Sequence, residues 1–231
     1  MQLASAQGDP ASYTGSPHRP SLKQAGQTQR GHMSVWSRIL VALAALALAF
    51  TYYFPLWEIT LDAPQYPEGL GMEIWINQIQ GQHEGDLNKI NNLNHYIGMK
   101  KIVPESIPEL GIMPWVMRAL MILGLVAAIV GKRSFLLAWI AIFVLVCVAG
   151  LVDFYLWGYD YGHNLDTEHA IIKVPGLSYQ PPLIGTKNLL NFKAISLPGA
   201  AGWVVILALS SASGAWLYEV VRHRKGAVNV A

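Results

Sequence analysis

The chain has 231 residues, of which 53% are hydrophobic and only 13% charged, and its mean hydropathy is +0.33; that balance points to an integral membrane protein. A formal net charge of +2, with no run of Lys and Arg interleaved with aromatics outside the short tail Arg222-His223-Arg224-Lys225, gives no footprint for a nucleic-acid partner. The single cysteine, Cys147, lies in an apolar run, which excludes an intrachain disulfide and any cysteine-based zinc pattern, so a soft-metal site outside a membrane must be built from Met and His.

Residues 1–34 are rich in Gly, Ser, Gln and Pro without apolar periodicity and read as a disordered cytoplasmic tail, in which Met33 is an alternative translation start. A first membrane span is predicted over 35–54, with Arg38 at its start and Tyr52, Tyr53 and Trp57 as an aromatic belt at its end. Ala47-Leu48-Ala49 resembles a signal-peptidase site, but the run is long for a signal peptide, and an uncleaved anchor is the preferred description.

Residues 55–111 form a long polar loop. Trp57–Leu61 reads as a short strand, Ala63–Gly69 as a breaker, and Met72–Ile79 as a second strand rich in β-branched and aromatic residues. Asp86 is placed to cap a short helix carrying Leu87, Ile90, His95 and Met99, which Gly98 would end. Further spans follow over 112–130, 135–157 and 199–221. A tight basic turn (Gly131-Lys132-Arg133-Ser134) separates the first two of these, a second loop over 158–198 precedes the last, and 222–231 is a cytoplasmic tail. With the N-terminus inside, nine Lys and Arg fall on the inner side and six in the two long loops, which are much longer. The positive-inside rule therefore puts both termini in the cytoplasm and both loops outside. The predicted fold is mainly α: a polytopic membrane protein with four transmembrane helices and a small mixed α/β extracytoplasmic cap made by the two loops.

The stretch with most chemical content is Ile90-Asn91-Asn92-Leu93-Asn94-His95-Tyr96-Ile97-Gly98-Met99. A helix would place His95 and Met99 on one face, and an imidazole beside a thioether suits copper, above all Cu(I). The bland alternative is that Met99 fills a gap in a small core and His95 satisfies a local hydrogen bond. Because both loops emerge on one side, His163 can join the pair, with Met72 or Met113 as a further ligand. Asp160 would then hold the His163 ring from behind, as carboxylates do for metal-bound imidazoles. His83 and His169 sit beside Glu84 and Glu168 and read as solvated. Arg118 and Asp153, at similar expected depth on consecutive antiparallel spans, are predicted to form an intramembrane ion pair, since charges in spans face partners.

No nucleotide-binding, esterase or zincin motif occurs, no pair of histidines lies inside the spans to hold haem, and CxxCH is absent; no catalytic residues are expected. Asn94-His95-Tyr96-Ile97-Gly98-Met99, Tyr161-Gly162-His163-Asn164-Leu165 and Tyr179-Gln180-Pro181-Pro182-Leu183-Ile184-Gly185 together resemble a family of small bacterial membrane proteins, over residues 35–221. That family is often encoded beside nitrous oxide reductase and its copper-maturation genes. The resemblance implies a setting in the bacterial inner membrane, copper-site assembly or denitrification, with a periplasmic copper enzyme or its maturation proteins as partners. The expectation is thus a copper-handling accessory protein. Its rival is a non-catalytic docking subunit of an envelope complex, with Tyr96, Tyr161 and Tyr179 as aromatic anchors. A quinol- or electron-transfer partner ranks third.

Overall fold

The computed structural model describes residues 31–172, 176, 178–189 and 192–228, so the predicted tails over 1–30 and 229–231 lie outside the described residues. Helix α1 spans Val35–Ala47, capped by the Ser34 side chain, and tightens into a 3₁₀ turn over Leu48–Tyr52. Strands β1 (Trp57–Ala63), β2 (Tyr66–Ile74) and β3 (Ile79–Gly81) follow, then helix α2 (Asp86–Tyr96). Helices α3 (Glu109–Val130) and α4 (Arg133–His163) form a hairpin, strands β4 (Gly185–Leu189) and β5 (Phe192–Pro198) come next, and α5 (Ala200–Val228) ends the described chain. Among the described residues four helices are long and apolar enough to cross a membrane: α1 with its 3₁₀ extension, α3, α4 and α5.

These helices pack because their facing sides are small or flat. Helix α1 lies against α3 and α5, and α4 against the same two. Ala44, Ala45 and Leu48 meet Leu120, Ala127, Trp139, Phe143, Ala208 and Ala212 in one buried cluster. Gly124 sets the closest approach: a Cβ there would stand 2.6 Å from the Trp139 ring and 2.7 Å from the Ala45 methyl. The Trp139 indole N–H donates to Leu120 O at 2.9 Å, which satisfies the one polar atom this ring buries. Elsewhere the helices present apolar side chains outward.

The cap is a five-stranded antiparallel sheet in the order β3-β2-β1-β5-β4, so the central pairing of β1 with β5 joins the two loops. Three details differ from the sequence expectation. Strand β2 runs through the predicted breaker, because Pro67 sits at its frayed start beside a register shift between Leu61 and Ala63, where a missing N–H is tolerated. The predicted second strand is two, split at Trp75–Gln78, where the Trp75 N–H donates to Gln78 O. Strands β4 and β5 were not expected at all.

One face of the sheet carries Ile59, Leu70, Met72 and Ile79, which pack on Ile90 of α2 and on Ile102. Helix α4 continues past the predicted end at Trp157 because its last turns belong to this cluster: Phe154 meets Trp57 edge-on at 5.6 Å, and Trp157 lies 4.4 Å from Tyr161. At the opposite end of the helices the residues before α1 are built in, with Met33 buried and its N–H donating to Gly131 O at 2.7 Å. Glu219 of α5, fully buried, accepts from the Ser34 N–H (2.8 Å) and the Ser37 hydroxyl (2.6 Å), tying the last helix to the start of the first.

Candidate metal cleft

The anchor of α2 is Asp86. It is the first residue of the helix rather than its cap, a place taken by Gly85 in the left-handed region. Its buried carboxylate turns back to accept from the N–H groups of Gly71 (3.1 Å) and His83 (3.2 Å) and from the His83 ring. Burial alone would push this carboxyl up. The bonds from Gly71 and His83 outweigh it, and with the nearby Lys89 they hold it below the usual carboxylate range. Helix α2 is thereby fixed on β2.

At its other end the helix stops at Tyr96, short of Met99, so the shared helical face expected for His95 and Met99 does not exist. Gly98 takes φ +78°, the chain reverses, and the Met99 N–H returns to Asn94 O at 2.8 Å. A Cβ at Gly98 would stand 2.6 Å from Asp166 O, so this close approach admits only glycine. It lets the second loop dock: the Asp166 N–H donates to Gly98 O, and both Ile171 and Ile172 N–H groups donate to Tyr96 O.

The result is an open cleft of about 520 Å³ between the loops, lined by His95, Gly98, Met99, Lys100, Asn164, Leu165, Asp166, His169 and Ala170. His95 and Met99 thus come together through a turn and a shared cavity. His169, set aside on sequence, joins them. Its Nδ1 lies 2.8 Å from Asp166 Oδ2, which assigns the ring proton to Nδ1 and leaves the Nε2 lone pair outside that bond. Asp166 is held below the usual carboxylate range, first by the His169 backbone N–H and then by its ring. Lys100 also lines the cleft, but its ammonium is paired with Asp160 Oδ2 at 2.7 Å. The carboxyl end of α2, where His95 sits, carries the negative end of the helix dipole and favours a cation.

The other predicted site residues go elsewhere. His163 is in the last turn of α4, not in a loop; its Nδ1–H is 3.0 Å from Tyr159 O, its ring stacks on Tyr159 at 4.0 Å, and it is not part of the cleft lining. Asp160 does not support that ring: it accepts from Lys100 and from the Asn164 amide. Met72 is buried in the cap core, and Met113 packs on the helix bundle. Of the tyrosines, Tyr96 is exposed, Tyr161 packs in the cap core, and Tyr179 is buried.

Arg118 and Asp153 are not an ion pair. Helix α3 ends and α4 begins at the turn Gly131–Lys132, and at 1.5 Å per residue Arg118 lies about 20 Å from that turn along α3 whereas Asp153 lies about 30 Å from it along α4. No salt bridge joins the two residues, whose backbone positions are offset by about 10 Å along the helices. Arg118 instead lies over the rings of Trp115 and Tyr52.

Among the described residues no group of three or more His, Cys, Asp or Glu converges as a metal site. The cleft is lined by two imidazoles and a thioether, donor types that suit a soft ion. The signal for its third member was present in Asp166-Thr167-Glu168-His169, whose spacing allows the carboxylate to meet the ring three residues on. Compared with known proteins, the chain matches no family model and no curated protein.

Proposed function

We propose that the chain is a non-catalytic accessory protein of the bacterial cytoplasmic membrane, with both termini inside and the cap outside, that holds Cu(I) for assembly of a periplasmic copper enzyme. The observation that carries this is the meeting of His95, Met99 and His169 on one open cleft, with Asp166 behind the His169 ring. The four long apolar helices and the count of basic residues support the membrane placement. An open cleft suits a protein that must release its metal, because a partner's ligands can enter and exchange.

Competition of the purified protein with a colorimetric Cu(I) chelator tests the site. One equivalent per chain is expected. His95→Ala, Met99→Leu and His169→Ala each weaken binding, and Asp166→Ala, which frees the ring without removing a ligand, weakens it by about tenfold. His163→Ala and Met72→Leu leave the affinity unchanged. Equal binding by wild type and the His95/Met99/His169 triple variant would contradict copper handling.

A second function, docking without metal, is favoured by Tyr96, Ile171 and Ile172, which are 47%, 65% and 47% exposed and are joined by backbone bonds at the lip of the same cleft. In that case the triple variant binds no less copper than wild type, whereas Tyr96→Ser abolishes co-purification of the partner.

A further inference from the structure

Arg118 presents a charge on the outer side of α3, among apolar side chains, in a helix long enough to cross a bilayer. Ile112, Trp115 and Ile122 of the same helix are 59%, 66% and 61% exposed. No carboxylate among the described residues lies within ion-pair distance of it. A guanidinium left in hydrocarbon without a counter-ion is expensive, and such a group reaches for the headgroups or for an anion.

The local geometry sets the direction. Side chains on a helix lean toward its N-terminus, and the N-terminus of α3 is at the cap end. Trp115 stands one turn in that direction, and the Arg118 guanidinium carbon is 4.6 Å from its ring and 5.8 Å from the Tyr52 ring. The Tyr52 ring is itself fixed, since its hydroxyl donates to Pro114 O at 2.5 Å. The charge is thereby held by two rings, and the N–H groups at the edge of its plane stay available for two oxygens of one anion. Arg118 starts about 20 Å from the turn at the far end, so its extended arm covers much of the way to the cap-side headgroups. The anion a bilayer supplies at that level is a phosphodiester.

We infer that Arg118, with Trp115 and Tyr52, forms a binding site for the phosphate of a phospholipid in the cap-side leaflet. The site rests on the membrane placement proposed above but is independent of copper.

The test uses the full chain in mixed micelles titrated with phosphatidylglycerol, with bound lipid counted by native mass spectrometry. Wild type retains one tightly held lipid. Arg118→Gln, which loses a charge-assisted bond, weakens that binding by about tenfold. Arg118→Lys keeps part of it, and Lys132→Gln, at the far end of the helix, leaves it unchanged. Trp115→Ala keeps the charge and removes its main support; weaker lipid binding by this variant supports the site even where Arg118→Gln does not purify. Equal binding by wild type, Arg118→Gln and Trp115→Ala would overturn the site, and so would displacement of the lipid by inorganic phosphate. Carbonate washing of membranes tests the placement separately: release of the wild-type chain would overturn membrane integration, whereas retention with unchanged lipid binding in the variants overturns only the lipid site.

Discussion

At the scale of single residues, Asp86 shows how the cap core and the cleft depend on one carboxylate. It is buried, and its oxygens serve β2 through Gly71, the turn through His83, and Lys89 on its own helix. Asp86→Ala strands the buried Gly71 N–H and should destabilise the cap by about 2–3 kcal/mol, read as a lower thermal unfolding midpoint. Because the folded pKa lies below the ordinary one, this contribution is complete above the ordinary value and is lost as pH falls through the folded value. Wild type and Asp86→Ala should therefore converge in stability only in strong acid. His95 and Met99 were legible in the sequence as a pair because soft-donor chemistry is a property of residue type. The way they meet was not, because it depends on Gly98 and on a contact with Asp166 far along the chain. His169 was missed for a related reason: Glu168 beside it made the segment look solvated, and the ring is in fact exposed, but the backbone fold of the loop turns it to the cleft.

At the scale of elements, the four long helices were legible because an apolar run of sufficient length has few alternatives. Their ends were less so. Helix α4 exceeds its expected span because Phe154, Trp157 and Tyr161 serve the cap core, a tertiary role that hydropathy does not register. Strands β4 and β5 are short; β5 owes its identity as a strand to pairing with β1 more than a hundred residues earlier, and β4 to pairing with β5. The same pairing logic creates a weak point. Glu58 of β1 stands directly opposite Glu73 of β2. Glu73 is satisfied by the Trp75 indole and the Gln80 amide, whereas burial first and the Glu73 charge second push the Glu58 carboxyl above its ordinary value. Folding thus disfavours the ionised form. The penalty is present in full above the raised value and disappears as pH falls below the ordinary one. Glu58→Gln should stabilise the cap by about 0.5 kcal/mol at neutral pH, the scale of a cross-strand like-charge pair. The gain should vanish near pH 4. A difference between variant and wild type that grows on acidification would mean that Glu58 is stabilised, not strained, by its neighbour.

At the scale of the molecule, two loops from opposite halves of the chain close into one sheet on one end of a helix bundle, and the cleft forms where the remainder of those loops meets. The Arg118–Asp153 pairing failed as an expectation at this scale. Both charges were visible in the sequence, but their relative height depends on the helices sharing the turn Gly131–Lys132, and α4 carries Asp153 beyond the level of Arg118. The proposed copper handling likewise stands on assembly, since the residues proposed as donors come from both loops. X-ray absorption of the Cu(I)-loaded protein reads those donors directly. The spectrum should show one sulfur and two nitrogen scatterers. Met99→Leu should remove the sulfur shell and His169→Ala should lower the nitrogen count, with the fold retained in both. A spectrum without sulfur in the wild type, or one unchanged by both substitutions, would contradict a copper site in this cleft.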